Sequence, residues 1–305
     1  MPPGRSQRVW SLRSWSDVSA GLACDHLVIA PGALAVESPE PMLAGHALHP
    51  ANLEQEARRL AGALPPGRRV DLYQSVAAPW AVGVAAAVLG IPLQDAERLV
   101  PVSRTVFEAA ARATGSGTSP AALEAAMDLA GHLPGSPLAV QSFVALAHTL
   151  PHFLAAAWHL LLSVPEEMDR LRREGERMPC VMEELLRLAG PSRVVYRVAE
   201  SAAEIGAARI EPGDDVHLHL AAANRDPARF TEPERFNPDR AEGGHLAFGR
   251  GRHACAGAQL IRHAAQSATA ALLAECRAMT PAGDPDWLTG PAIAAPVTLP
   301  VVVSH

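Results

Sequence analysis

The chain has 305 residues, of which 49% are apolar and only 4% aromatic, so it is long enough to bury a substantial core. Its formal net charge is −6 with both signs interspersed, which argues against a nucleic-acid binder, because such proteins usually carry a basic surface. The four cysteines are scattered and form no CxxC pair, which argues against a disulfide framework and favours a reducing cytosol.

No targeting or membrane-spanning segment is expected. The first fifteen residues carry charge and lack an apolar run, so the sequence predicts no signal peptide. The two most apolar runs, 78–93 and 150–165, contain proline or histidine and fall short of the roughly 20 residues that a membrane span requires. We therefore expect buried core helices in a cytoplasmic protein.

The N-terminal half is predicted to be mainly helical. The segment VWSLRSWSDV indicates a strand followed by the start of a helix. The next helix is amphipathic, spans 52–64 and has Asn52 as its N-cap. A helix is expected at 71–89, one or two helices at 92–114, and another helix at 119–132.

The second half begins with the longest helical pattern, 136–163, which is apolar nearly all round and so should lie in the middle of the protein. Pro165 begins a surface helix, and the helix after it ends at Gly190. Residues 192–220 show the alternation of a small β region, 256–276 form a last helix and 295–303 a strand. No repeat or linker interrupts the chain, which predicts one domain, 1–305, mainly α with a small β region.

The segment HLAFGRGRHACAG places Cys255 in a loop that is rich in glycine and basic residues. Its glycines allow tight turns and the close approach of something flat or bulky. The N-terminus of the following helix and the side chains of Arg250, Arg252 and His253 favour the thiolate form of the cysteine.

Such a thiolate could bind iron or zinc, or act as a nucleophile. Zinc would need about three more ligands, and the sequence offers no second Cys/His pair at finger spacing. A nucleophile would need a positioned base, for which His253 is a weak candidate. A buried thiol without chemical consequence is the remaining alternative.

The stretch FGRGRHACAG resembles the heme-binding signature of the cytochrome P450 family, Phe-Gly-x-Gly-x-His-x-Cys-x-Gly. The matching residues are Phe248, Gly249, Gly251, His253, Cys255 and Gly257. The resemblance implies heme b with Cys255 as the thiolate ligand of its iron, which favours O–O bond cleavage. It also implies that His253 binds a heme propionate.

Upstream segments extend this resemblance from about Ser136 to the C-terminus. Glu184 and Arg187 lie one helical turn apart, as in the Glu-x-x-Arg motif of the family, whose pair binds a later arginine, here Arg240. Arg197 falls where the family places an arginine that binds a propionate.

The central helix aligns the sequence VALAHTL with the segment that crosses the distal face of the heme in this family. Thr149 matches the alcohol, and His148 stands where an acid is expected, so the resemblance implies that the two handle oxygen and protons. The alternative for His148 is a side chain that faces the protein and packs. Pro151 lacks an N–H, which should free the carbonyl of Ala147 and kink the helix.

The substrate pocket of the family aligns with Ala145, Val194, Val195 and Ile293. The chain is shorter than usual members, and we expect an abbreviated N-terminal half without the helix that helps to dock an electron donor. The resemblance implies a monooxygenase that acts on a small or medium organic substrate, in specialised metabolism, with ferredoxin and its reductase as candidate partners. Two alternatives stay open: a peroxide-driven, isomerising or dehydrating heme reaction, and a family-like accessory protein for a partner enzyme.

Overall fold

The computed structural model describes residues 8–29, 50–115, 117, 119–134 and 137–305. Its α-helices are α1 (Trp15–Ala23), α2 (Pro50–Gly62), α3 (Ala78–Leu89), α4 (Leu93–Arg112), α5 (Pro120–His132), α6 (Pro137–Val144), α7 (Leu150–Leu162), α8 (Pro165–Arg173), α9 (Met178–Ala189), α10 (Leu220–Ala223) and α11 (Ala258–Glu275). Its strands are β1 (Val9–Leu12), β2 (Leu27–Val28), β3 (Arg69–Asp71), β4 (Val195–Ala199), β5 (Ala203–Ile205), β6 (Ala208–Ile210), β7 (Asp215–Leu218), β8 (Ala278–Pro281), β9 (Trp287–Thr289), β10 (Ala294–Pro296) and β11 (Pro300–Ser304).

Helices α6 and α7 form one central helix, Leu138–Leu162, because the π turn Ala145–Thr149 joins them. This helix is long and apolar enough to cross a membrane, contrary to the expectation from 150–165 alone. However, 72% of its most apolar 18-residue stretch is buried inside the protein, as in the core helix of a soluble protein. A second apolar stretch, Tyr73–Leu89 with Leu93–Arg112, is bent by 111°.

The core is divided into two clusters, which lie on either side of the site described below. The larger cluster packs α3, α6, α7, α9 and α11 around fully buried side chains such as Trp80, Phe143 and Trp158. The smaller cluster packs α1 against the sheet formed by β1, β7, β4 and β2, in that order. Within that sheet β1 and β7 are parallel and the other pairs are antiparallel. The N-terminal strands β1 and β2 thus pair with β7 and β4, which lie much later in the chain.

Most predicted helices are present, and the fold class, mainly α with small sheets, is confirmed by the structural comparisons reported below. Helix α5 begins after Ser119 at its N-cap, and Gly90 ends α3 in the left-handed conformation. The prediction of Asn52 as an N-cap is wrong, because α2 already begins at Pro50.

Two other predictions failed where tertiary pairing decides the outcome. The helix expected from residue 71 begins with a π turn, Tyr73–Ala77, because 69–71 pair with β11 instead. The single strand expected at 295–303 is two strands, β10 and β11, which belong to different sheets. Asp71 holds this junction, since its carboxylate accepts hydrogen bonds from the amides of Leu299 and Tyr73 at 2.8 and 2.9 Å.

His305 connects the ends of two helices that pack against each other, α2 and α11. Its Nδ1 lies 2.6 Å from the carbonyl oxygen of Glu275, and its Nε2 lies 2.8 Å from that of Leu64. Both partners are acceptors, so both ring nitrogens must carry protons. These hydrogen bonds raise the pKa of His305 above 6.5.

A pH-dependent contribution to stability follows from the two hydrogen bonds of His305. A group whose pKa is raised by folding stabilises the folded state below its unfolded pKa, and the effect disappears as the pH rises through the folded pKa. We expect His305→Ala to lower the melting temperature at about pH 5.5 and to match the parent protein at about pH 9. Thermal unfolding at both pH values checks this, with His263→Ala, an exposed histidine of α11, as the control. An equal loss at both pH values would contradict it.

Candidate functional site

A cavity of about 380 Å³ lies between the central helix and the Cys255 loop. One wall is the face of the central helix that carries Ala145 and Thr149. The opposite wall is formed by residues 247–249 and 253–257 with the first turn of α11. A third side comes from 190–192 and β4, so elements distant in sequence enclose one space.

Backbone geometry holds the cysteine loop in place. The Cys255 amide donates to the carbonyl of Phe248 at 2.8 Å. Gly249 and Gly251 have φ values of 67° and 73°, which side chains rarely adopt. A Cβ on Gly251 would lie 2.7 Å from the carbonyl oxygen of Leu22, so this glycine is required by the contact with α1, whereas the sequence analysis assigned the loop glycines to a bound group.

The basic residues of the loop do not act on the thiol as expected. Arg250 donates to the hydroxyl of Ser19, and Arg252 donates to the carbonyl of Asp25, so both arginines attach the loop to the N-terminal segment. Cys255 is exposed at the cavity, yet the protein atoms around its sulfur desolvate the thiol and raise its pKa, while the amide of Gly257 and the charge of Arg262 lower it by less. A thiol that coordinates a metal is nevertheless deprotonated by the metal itself.

Arg197 provides the strongest evidence for an anionic group in the cavity. The residue is only 8% exposed, and its guanidinium donates to the carbonyl of Tyr196 at 2.8 Å. It has no ion pair among the residues that the structure describes, and burial together with the nearby charge of Arg252 lowers its pKa. A buried cation that lacks a carboxylate partner and lines a cavity fits a bound anion such as a heme propionate.

The π turn of the central helix sets which side chain faces the cavity. It closes with a bond from the amide of Leu150 to the carbonyl of Ala145, five residues earlier. Pro151 follows directly and cannot donate, so an ordinary α-helical bond is missing at this point. This local change of the backbone hydrogen-bond pattern is a one-turn π bulge within an otherwise continuous helix. Thr149, at the end of the bulge, lies at the cavity wall.

His148 points away from the cavity and into the protein. Its Nε2 lies 2.8 Å from the hydroxyl oxygen of Ser103, and its ring stacks on Phe107. The Ser103 hydroxyl donates to the carbonyl of Val100, so it accepts from His148, whose proton is then on Nε2. Burial, with the nearby His152 and Arg104, lowers the pKa of His148 to about 4, which leaves the ring neutral at pH 7.

The structure brings together most of the residues that the sequence analysis named. The predicted cofactor-binding residues that line the cavity are Cys255, His253, Arg197, Phe248, Gly249 and Gly257. Thr149, Ala145 and Val195 also line it, whereas His148, Val194 and Ile293 do not. Val195 and Arg197 share one face of β4 because side chains alternate along a strand, and Val194 precedes that strand.

Sequence reasoning missed two polar residues of the wall, Gln141 and Ser142. They lie one turn before Ala145, which itself lies one turn before Thr149. This helical spacing could have located them once Thr149 had been aligned.

A buried ionic network supports the segment before the cysteine loop. Arg187 donates to both carboxylate oxygens of Glu184 at 2.8 Å, and Arg240 donates to Oε2 at 2.9 Å. The amide of Asn237 donates to the same carboxylate. Burial raises the pKa of Glu184, but these partners outweigh burial and lower the pKa below its usual range.

Comparison with known proteins agrees with this geometry. The family model described as cytochrome P450 matches residues 166–296. Nocardicin C N-oxygenase of Nocardia uniformis is 32% identical over 269 residues, 77% of this chain and 67% of the relative. The monooxygenase PikC of Streptomyces venezuelae is 30% identical over 274 residues, 77% of this chain and 64% of the relative. Other curated matches cover as little as 27% of the relative.

The fold is also that of solved members of this family. The ligand-free structure of CYP164A2 from Mycobacterium smegmatis superimposes with a TM-score of 0.81 at 25% identity. The match covers 97% of this chain and 91% of the other chain.

Neutralising Glu184 should destabilise the protein strongly. We expect Glu184→Gln to lower the free energy of unfolding by about 3–5 kcal/mol, because two buried guanidinium groups lose their carboxylate. Urea unfolding measures the change. The control is Glu204→Gln, which removes an exposed carboxylate paired with Arg209 and should cost less than about 1 kcal/mol. Similar losses in both variants would show that the network contributes nothing beyond a surface pair.

Proposed function

Because the chain belongs to the cytochrome P450 family, we propose that it is a heme-thiolate monooxygenase of a small or medium organic substrate. Proteins of this family bind heme b through a cysteine thiolate. The single observation that carries the proposal is the position of Cys255, in a cavity whose opposite wall presents the hydroxyl-bearing Thr149. Retention of the cysteine at the cavity also favours an enzyme over an accessory protein.

The residues of the cavity fit this cofactor. Cys255 would ligate the iron, and Arg197 with His253 would hold the propionates. Bound in this way, heme supplies oxidative chemistry, because the thiolate donates electron density that favours O–O bond cleavage.

Thr149 and the apolar walls provide what the chemistry needs from the protein. The Thr149 hydroxyl can accept and donate hydrogen bonds at the cavity surface, so it can hold a proton there. Leu146, Leu150, Phe153 and Val195 exclude water around it. The proton-handling role that the sequence analysis offered for His148 finds no support in the geometry, since the ring is neutral and bound to Ser103.

The lining favours an uncharged substrate. None of the described residues that line the cavity is Asp, Glu or Lys, and Arg197 is assigned to a propionate. The uncharged polar side chains of the lining include Gln141, Ser142, Thr149 and Ser192, and most of the other lining residues are apolar. The likeness to nocardicin C N-oxygenase and to the monooxygenase PikC supports an oxygenase with a substrate from specialised metabolism. A ferredoxin and its reductase are the electron donors that we propose for it.

A second candidate is a peroxide-driven reaction at the same heme. The observation that favours it is the missing carboxylate: the position where the family usually has an acid is His148, which faces away from the cavity. Hydrogen peroxide is formally dioxygen plus two electrons and two protons, so it requires neither an electron donor nor the protons that a carboxylate relay would deliver.

A spectroscopic prediction concerns Cys255 as the ligand of the heme iron. Protein produced with ample heme, reduced and exposed to CO, should show the red-shifted Soret band of thiolate ligation. Cys255→Ser should lose this band, whereas Cys180→Ser, which removes an exposed cysteine of α9, should keep it. Absence of bound heme in the parent protein would overturn both candidate functions.

A kinetic prediction concerns Thr149, on the cavity wall opposite Cys255. If electrons from a donor drive the reaction, Thr149→Ala should lower product formation by roughly 100-fold, since positioned proton transfer contributes at least that much. The rate with added peroxide should change much less. Product formation under both conditions checks this, with Thr105→Ala, an exposed threonine of α4, as the control. Turnover with peroxide in the absence of any turnover with an electron donor, and insensitive to Thr149→Ala, would favour the second candidate.

A further inference from the structure

Glu183, the neighbour of Glu184 on α9, binds two basic side chains near the cysteine loop. Arg262 of α11 donates through Nη2 to Oε2 of Glu183 at 3.0 Å and through Nε to Oε1 at 2.5 Å. His245 Nε2 lies 3.1 Å from the same Oε2. Burial raises the pKa of Glu183, but the hydrogen bonds from His245 and Arg262 outweigh it and lower the pKa to about 2, so the carboxylate is ionised.

Both basic side chains lie next to the ring of Phe248. The guanidinium carbon of Arg262 lies 4.7 Å from the centroid of that ring, in a cation–π arrangement. The ring of His245 lies 6.0 Å away, centroid to centroid. The amide of Ala247 donates to His245 Nδ1, so the nitrogen that donates to Glu183 is Nε2.

Phe248 connects this cluster to the cysteine. Its carbonyl accepts the hydrogen bond from the amide of Cys255, and its ring lines the cavity. Through Phe248, the charge of Arg262 lies close to the loop segment that carries the sulfur. Among the described residues, Glu183 is the one carboxylate partner of Arg262, so this ion pair holds the cation beside the ring.

We propose that the Glu183–Arg262 ion pair positions Phe248 and sets the reduction potential of the iron that Cys255 ligates. Arg262 and Glu183 are positioning residues, since neither lines the cavity. A cation beside the thiolate stabilises the reduced centre, which carries one more electron, and the carboxylate offsets part of that effect. The proposal rests on the proposed function, because it requires a thiolate-ligated heme.

The test is a potentiometric titration of the heme-loaded protein, with dithionite as the source of the electron. Arg262→Gln removes the cation and should shift the midpoint potential downward. Glu183→Gln leaves the cation without its counter-charge and should shift it upward. The double variant should lie between the parent protein and Arg262→Gln, because the carboxylate offsets only part of the effect of the cation.

A purely structural role would give a different pattern. If the pair only supported the fold, both single variants would shift the potential in the same direction and the double variant would shift it no further, because either change alone breaks the same contact. That result, or the absence of a shift in either single variant, would overturn the proposal. Shifts of opposite sign that shrink in high salt would support it, since Glu183 is 45% exposed and screening reaches it.

The matched control is Arg172→Gln. This partly buried arginine of α8 bonds the carbonyls of Leu273 and Cys276, at the far end of α11, roughly 25 Å from Cys255 by the rise of an α-helix. It should leave the potential unchanged while removing a similar side chain. Failure of the proposed function is separate, because it would appear as a parent protein without the thiolate–CO spectrum before any variant is compared.

Discussion

The buried carboxylate of Glu184 is the constraint on which the cofactor side of the molecule depends. A charge that is 3% exposed is stable only when it is fully paired, and Arg187, Arg240 and the amide of Asn237 all converge on it. Arg187 also donates to the carbonyl of Asn224, whose side chain accepts from the amide of Leu246. The irregular chain between the sheet and the cysteine loop is thus held through α9, although it has little regular structure of its own.

One helix serves two purposes because its neighbouring carboxylates point in different directions. Successive residues of an α-helix point in directions about 100° apart, so the side chains of Glu183 and Glu184 meet different partners. Glu184 faces the irregular segment, and Glu183 faces the cysteine loop through Arg262 and His245. Helix α9 therefore sets the position of the loop and the electrostatic environment of its cysteine.

The same angular argument explains the distal wall. Thr149 and His148 are adjacent on the central helix, so their side chains point in directions about 100° apart, and Thr149 is the one that lines the cavity. His148 is then buried against Phe107 and bonded to Ser103, where desolvation keeps it neutral. Alignment of a motif identified which two residues to consider, but the direction of each side chain depends on the hydrogen-bond ladder of the helix.

The sequence by itself determined the helical character of the chain, most helix boundaries, the family, and the six cavity residues of the cysteine loop and β4, because periodicity, proline, glycine and short-range motifs are local properties. The partners of these residues follow from how the chain folds. The tertiary structure assigned Arg250 and Arg252 to the N-terminal segment, explained Gly251 by the contact with Leu22, and excluded Val194 and Ile293 from the cavity wall. The physical reason is that burial, charge pairing and strand pairing depend on segments that are distant in sequence, and no local pattern records which of them meet.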